Sequence, residues 1–347
     1  MKNVAIVGYG GQGAWHAEQV KKSDVCCLLG VYDIKENRRN VANENGINVY
    51  SSNDQLFKDP KVDIVVIATP NDTHKDLVIE ALKNGKNVIC EKPVEMSVEA
   101  LDQMISASKK YNRFFTVHQN RRWDVDFLAI KSIVESGEIG KPINIESRVH
   151  GSRGIPSDWR CQKEHGGGMI LDWGVHLIDQ MLQLFTQKVT SVYCKCSHIL
   201  NNEVDDGFKL FLEFEEGQTA LIEVGTYNFL PMPRFYAQFE KGSAKIEDWK
   251  QNCHVAKLKA WQEKDVTPVV NAAGITKTMA PRDEITLQEY DIERPCSDVH
   301  DFYRNVVKAI DNQEESFITL SQVRRVMAIM ETAVISDRQG QAIKTEI

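Results

Sequence analysis

Short apolar runs at 4–7, 26–32, 62–68, 87–90 and 114–117 are hydrophobic at successive rather than alternate positions, the pattern of strands buried on both faces. Between them, stretches near 12–22, 35–45, 73–84 and 97–111 carry apolar residues at helical spacing. Strand and helix alternating in this way predict a parallel, doubly wound sheet, and right-handed crossovers place helices on both its faces. From about residue 142 the rhythm changes. After a helix near 166–185, segments 189–200, 206–215, 218–227 and 234–247 follow one another with short turns, and Glu215-Glu216-Gly217-Gln218 reads as a hairpin turn. That pattern predicts a large open, mainly antiparallel sheet, closed by helices near 297–312 and 319–337 that can pack back on the first unit. Residues 250–295 show little regular pattern. The chain is therefore expected to be α/β, with a doubly wound domain at 1–121 and an α+β domain at 122–347.

Composition narrows the function. The 347 residues are 42% hydrophobic and 26% charged, enough apolar content for two cores. A net charge of −7 argues against nucleic acid or an anionic membrane as partner. The longest apolar stretch, at 64–68, is too short to cross a bilayer, and no secretory signal opens the chain, so a cytoplasmic protein is expected. The eight cysteines form no CxxC pair and no zinc-like spacing with histidine, so reduced thiols and no metal are expected.

The first chemistry lies in Gly8-Tyr9-Gly10-Gly11-Gln12-Gly13, a GxGxxG turn between the first strand and the first helix. In that context Gly8 serves the tight turn, Gly10 lets the backbone approach a pyrophosphate, and Gly13 permits close helix–strand packing. The helix N-terminus offers free N–H groups to phosphates. Asp33 ends the second strand about 20 residues after Gly13, where an acid accepts hydrogen bonds from ribose hydroxyls and repels a 2′-phosphate. A Rossmann domain binding NAD(H) in preference to NADP(H) follows. Arg38 and Arg39 either soften that preference or simply face water on a helix.

Two further constellations bear on catalysis. Glu91-Lys92-Pro93 follows the fourth strand, and ligands sit beyond the carboxyl ends of such strands, so Lys92 points toward a bound substrate unless it is a surface lysine. Near 166–185, Asp172, His176, Asp179 and Gln183 share one narrow helical stripe on an otherwise apolar helix. That stripe is either a solvated face or a buried acid/base pair, in which the Asp172 carboxylate orients the His176 ring and stabilises its protonated form.

In order along the chain stand GxGxxG, Thr69-Pro70-Asn71 with His74, Glu91-Lys92-Pro93, and Gly166-Gly167-Gly168 leading to Asp172, His176 and Asp179. Together they resemble the Gfo/Idh/MocA family over essentially the whole length. The resemblance implies a nicotinamide-dependent dehydrogenase in which Lys92, Asp172 and His176 surround the oxidised carbon. It also implies that Gly11, Gln12, Thr69, Pro70, Asn71, His74, Glu91, Pro93 and Asn120 line the cofactor cleft with the motif glycines and Asp33. Pro93 is often cis in relatives, and the exposed face of the C-terminal sheet commonly makes a dimer or tetramer interface. His118-Gln119-Asn120-Arg121-Arg122-Trp123-Asp124 and Asp158-Trp159-Arg160 look most like the branch of scyllo-inositol and glycoside 3-dehydrogenases.

The expected reaction is reversible oxidation of a ring secondary hydroxyl on a cyclic polyol, sugar or glycoside. Arg122, His150, Trp159, Arg160 and Tyr227 are the further substrate candidates. Arg121 or Arg122 can equally be a domain-boundary salt bridge, and His150 and Tyr227 ordinary strand residues. Residues 271–279 form either a substrate lid, a subunit contact or a plain connection. The alternatives in other classes are a glycosidase or lyase that uses tightly held NAD transiently and a non-catalytic NAD-binding regulator.

Overall fold

A computed structural model describes residues 1–260, 268–276, 282 and 284–347. The first sheet contains β1 (Lys2–Val7), β2 (Cys26–Tyr32), β3 (Ile64–Ile67), β4 (Asn87–Cys90) and β5 (Phe115–Val117), all parallel, in the order β2-β1-β3-β4-β5. Val4–Val7 and all of β3 are buried on both faces, as successive apolar positions require when helices cover each side of a sheet. The covering helices are α1 (Gly11–Lys22), α2 (Glu36–Glu44), a short α3 (Asn53–Lys58), α4 (His74–Lys83) and α5 (Val98–Tyr111).

A helix α6 (Val125–Ser136) leads into β6 (Pro142–His150), and a π-helical stretch at Ile170–Gly174 runs directly into α7 (Val175–Leu184). The second sheet then assembles from β6 with β7 (Val189–Ser197), β8 (Gly207–Phe214), β9 (Thr219–Gly225), β10 (Phe235–Phe239), β11 (Gly242–Ile246) and β12 (Cys253–Leu258). The short hairpin β13 (Val269–Asn271) and β14 (Gly274–Thr276) stands apart. β15 (Leu287–Ile292) pairs with β12, and after α8 (His300–Ile310) and α9 (Leu320–Gln339) the edge strand β16 (Ile343–Lys344) pairs with β7. Among the described residues the second sheet has nine strands in the order β15-β12-β11-β10-β6-β9-β8-β7-β16. Every pairing is antiparallel except β6 with β9.

The segment 250–295 is more regular than its pattern suggests. Four strands lie in it, and β12 and β15 extend the large sheet. β15 is the edge strand with β12 next to it, and β15 fully buries none of its side chains, so the alternation that announces a strand is weak. Of the proposed lid at 271–279, residues 277–279 lie outside the described residues, and Val269, Val270 and Ile275 in its hairpin are exposed. The single strand expected at 234–247 is a hairpin, β10 and β11, turning at Glu240 and Lys241.

The late helices tie the halves together. Thr116 on β5 donates to Ile318 O at 3.1 Å, Tyr303 on α8 meets His16 on α1 at 2.7 Å, and Arg324 on α9 pairs with Asp102 on α5. The C-terminal ends of β1, β3 and β4 are thereby held facing the N-terminal end of α7, and the cleft between them is where the candidate residues converge.

Candidate active site

The turn after β1 is built for glycine. Gly8 has φ +93°, and a Cβ there would lie 2.4 Å from Ala68 O on the neighbouring strand end. A Cβ on Gly13 would lie 1.8 Å from Gly8 O, so α1 packs on the turn only without a side chain. The other two glycines face open space: a Cβ on Gly11 would meet nothing within 4 Å, and one on Gly10 only the Arg38 guanidinium at 3.7 Å. Gly10 caps α1 with no side chain on its first N–H groups, leaving Gly11, Gln12 and Gly13 amides free for an anion. Asp33 closes the rim, its oxygens accepting from Tyr9 N–H at 2.7 Å and Lys35 N–H at 2.8 Å. Beyond β5, the Asn120 side-chain oxygen is buried without a partner among the described residues. An open glycine cradle, an uncapped helix N-terminus and an orphaned carboxamide fit a bound dinucleotide.

The catalytic candidates gather where β4 ends. The Lys92–Pro93 bond is cis, and Lys92 Nζ lies 3.2 Å from both Asp172 Oδ1 and Asp172 O. Arg160 takes the other carboxylate oxygen through Nε at 3.0 Å. Burial opposes ionisation of Asp172, yet Lys92 and Arg160 outweigh it and hold the carboxyl below its ordinary range. His176 is buried one turn further on. The expected Asp172–His176 hydrogen bond is absent, because the π-helical turn at Ile170–Gly174 breaks the i, i+4 phase and turns Asp172 to the two cations. His176 Nδ1 has no partner among the described residues. Burial first, then the charges of Lys92 and Arg121, hold the ring well below the ordinary imidazole range. The imidazole is therefore neutral, the reverse of the stabilised imidazolium that the helical stripe suggests.

The helix carrying these groups starts from a tight glycine loop. Gly168 has φ +105°, and its missing Cβ leaves room for Asp205, whose Oδ2 accepts from Met169 N–H and Ile170 N–H, both at 2.9 Å. Asp205 thus caps the helix from a distant loop, which local spacing does not reveal.

A family model described as an oxidoreductase family with an NAD-binding Rossmann fold matches residues 2–119, and the Gfo/Idh/MocA C-terminal domain model matches residues 127–245. The chain belongs to the Gfo/Idh/MocA oxidoreductase family. Within it, the chain is similar to the myo-inositol 2-dehydrogenase of Thermotoga maritima, 30% identical over 63% of this chain and 67% of that one. It is also similar to the scyllo-inositol 2-dehydrogenase (NAD(+)) of Bacillus subtilis, 31% identical over 63% of this chain and 66% of that one. The match thus spans about two thirds of each of these two relatives, and about half of several others. A solved NAD-binding protein from Listeria innocua is 43% identical, with a TM-score of 0.96 over 99% of both chains.

Several residues that the Gfo/Idh/MocA resemblance points to are engaged elsewhere. His74 is enclosed, with ring nitrogens 2.9 Å from Thr69 O and 3.1 Å from Pro93 O, so it braces two cleft turns from behind. Glu91 points inward: Oε1 lies 2.8 Å from both His16 Nε2 and His118 Nδ1, while Oε2 accepts the Lys92 N–H at 3.1 Å. The donor atoms of His16, Glu91 and His118 lie within 4.8 Å of one another, close enough to share an ion, but these contacts are those of a hydrogen-bonded cluster. Asn71 spends its amide on His165 O and Gly166 O, joining the Thr69-Pro70-Asn71 turn to the glycine loop.

Among the substrate candidates, Arg160 reaches the site and Trp159 lies beside it, its ring 4.6 Å from the Arg160 guanidinium. Arg122 does not. It is buried in a bidentate pair with Asp179 at 2.7 and 2.6 Å and donates to Phe317 O, so the salt-bridge alternative holds and Asp179 leaves the catalytic stripe. His150 lies on the sheet face turned away from α7, accepting from Met232 N–H and standing 3.6 Å from Glu223. Tyr227 is half exposed and packs on Phe229 at 4.9 Å.

The site also has an aromatic wall that the sequence pattern does not announce. Trp173, which counts only as an apolar helix residue there, has its ring 6.0 Å from that of His176 and 6.1 Å from that of Trp249. The Arg121 guanidinium lies 4.2 Å above Trp173 and 5.6 Å from Trp249. Trp249 arrives from the β11–β12 loop, about 75 residues later, so no local spacing links the two.

Proposed function

We propose that this chain is an NAD(H)-dependent dehydrogenase that reversibly oxidises a ring secondary hydroxyl of a cyclic polyol, sugar or glycoside. The observation that carries this is the meeting of Lys92, Asp172, Arg160 and a neutral His176 at the strand end beside the glycine cradle. Residues 1–121 would hold the cofactor through Gly8, Gly10, Gly11, Gln12, Gly13 and Asp33, with Asn120 near the nicotinamide end. Residues 122–347 would supply the substrate side. When bound, the nicotinamide supplies the hydride acceptor.

The protein's own residues handle the proton and the charge. A neutral His176 accepts the hydroxyl proton. The Lys92 ammonium donates a hydrogen bond to the same oxygen and stabilises its growing negative charge. Asp172, fixed from its other side by Arg160, holds the lysine in place. The inositol dehydrogenase names of the two relatives support a polyol or sugar, and the Asp33 carboxylate supports NAD over NADP.

Three features of the setting agree with a small-molecule enzyme. No helix among the described residues is long and apolar enough to cross a membrane. The eight cysteines are free, which supports a reducing, cytoplasmic compartment. The outer face of the large sheet exposes the cross-strand pair Tyr193 and Phe211, which supports self-association through that face.

The test is reduced-nicotinamide absorbance with a panel of inositols, hexoses and glycosides, run in both directions with the matching keto compounds. NADH formed by at least one cyclic polyol or sugar is expected. Silence across the panel in both directions contradicts the dehydrogenase, and aglycone release without net NADH points to transient oxidation instead.

A further inference from the structure

We propose that Trp173 and Trp249 form an outer subsite for a second ring attached to the oxidised sugar, making the substrate class a glycoside with a ring-bearing aglycone. The inference rests on the dehydrogenase assignment and deepens it.

The ring contacts run outward from the chemistry in two steps. The His176 and Trp173 centroids are 6.0 Å apart, and Trp173 to Trp249 is a further 6.1 Å at a tilt of 47°. Each step is roughly the width of a pyranose, so the His176, Trp173 and Trp249 rings together match the size of a two-ring glycoside. Trp173 is half-buried in the cleft wall, and Trp249 is 41% exposed although it is the largest side-chain type and stands on a loop. A half-exposed tryptophan beside a catalytic helix offers a flat apolar face to a ligand ring. Among the described residues neither indole N–H donates a hydrogen bond, so both remain for ring hydroxyls or a glycosidic oxygen.

The wall is held rigid. Arg121 lies 4.2 Å above the Trp173 ring and is anchored by Asp124 at 2.9 Å. Arg234 lies 4.6 Å from the Trp249 ring and is buried against Asp126 at 3.0 Å. The Trp249 carbonyl accepts from Arg294 at 3.2 Å. Two cations each ordering one indole, and each already neutralised by an aspartate, make a positioned surface and leave little net charge for an anionic ligand. A neutral ring is the occupant that suits this chemistry.

The experiment pairs phenyl and methyl glycosides sugar by sugar, measuring NAD⁺ reduction and, separately, calorimetric binding to NADH-loaded enzyme. For the wild type, kcat/KM and affinity are expected to favour the phenyl member roughly ten-fold, mainly through KM. Trp249→Ala should bring that ratio within about three-fold, and Trp249→Phe should restore most of it while showing that the loop still folds. Equal handling of the paired glycosides by the wild type, a ratio unchanged in Trp249→Ala, or no binding of either member overturns the subsite. If NADH forms without discrimination, the subsite falls and the dehydrogenase stands. If binding discriminates and no compound yields NADH, the subsite stands and the dehydrogenase falls.

Discussion

A histidine serves as proton acceptor only where it stays neutral, and burial beside Lys92 and Arg121 gives His176 that property. Because the shift is downward, lowering the pH from 8 to 6.5 leaves the ring unprotonated. The acid limb of kcat/KM for alcohol oxidation is therefore expected below pH 6.5, and a limb centred at or above that value contradicts the role given to His176. The proposed preference for NAD over NADP rests on single residues too. Arg38 leans on Tyr9 O at 3.2 Å and Arg39 on Asp33 O at 2.7 Å, so two cations stand ready behind the Asp33 carboxylate. Asp33→Ser removes the repulsion of a 2′-phosphate and keeps the arginines. The ratio of kcat/KM for NADP⁺ to that for NAD⁺ should rise at least about ten-fold, corresponding to roughly 1.4 kcal/mol. An unchanged ratio would show that Asp33 does not meet the ribose.

At the level of elements, the start of the helix that carries Asp172 and His176 depends on Asp205, whose carboxylate accepts from Met169 N–H and Ile170 N–H while its backbone carbonyl also accepts from Met169 N–H. Asp205→Ala should lower stability by about 1–2 kcal/mol and turnover with it, as Asp172 and His176 lose their fixed start, with NAD⁺ affinity retained. Loss of stability with full turnover would separate the cap from the site. The elements that the chemistry rests on are mostly legible in the sequence. β1 to β5 are runs buried on both faces, a pattern readable without knowing the partners, and the glycine spacing fixes the turn between β1 and α1. What the sequence hides depends on contacts distant along the chain or on irregular geometry. The π-helical turn moves Asp172 away from His176 although the residues sit at i, i+4, and periodicity assumes 3.6 residues per turn throughout. Arg122 and Asp179 are 57 residues apart, and Trp249 meets Trp173 through a loop. β12 and β15 leave little signal because β12 fully buries only Cys253 and Val255, and β15, at the edge, keeps Tyr290 and Ile292 only partly buried against the core.

For the whole molecule, the buried titratable groups set how the fold responds to acid. His16, His74 and His176 are all held below the ordinary value of 6.5, chiefly by burial, so the unfolded chain takes up protons near pH 6.5 that the folded chain refuses. Stability therefore falls as the pH drops through 6.5, by about 1.4 kcal/mol per pH unit for each such proton. Asp205, pushed up to about 6 by burial, binds a proton in the fold first and offsets one of the three between pH 6 and 4. Glu91, held well below its ordinary 4.5 because two histidine contacts outweigh its burial, adds to the loss below that pH. The denaturant midpoint should drop from pH 7 to pH 5.5, and a flat or rising midpoint contradicts neutral buried histidines. The Arg122–Asp179 pair joins the segment after β5 to α7, and Arg122→Ala should cost ~3–5 kcal/mol by leaving a buried carboxylate unpaired, read from the same denaturant curves. The proposed chemistry is itself a matter of assembly: Lys92, just beyond β4 of the first sheet, and the helix carrying Asp172 and His176 would close on one hydroxyl. Lys92→Met tests it most directly, measured as turnover beside NAD⁺ affinity. Turnover should fall by ~10²–10⁴ while NAD⁺ affinity stays within a few-fold, because the proposed cofactor contacts at the far end are the glycine turn and Asp33. Turnover within a few-fold of wild type, with NAD⁺ affinity intact, would contradict the site described for this chain.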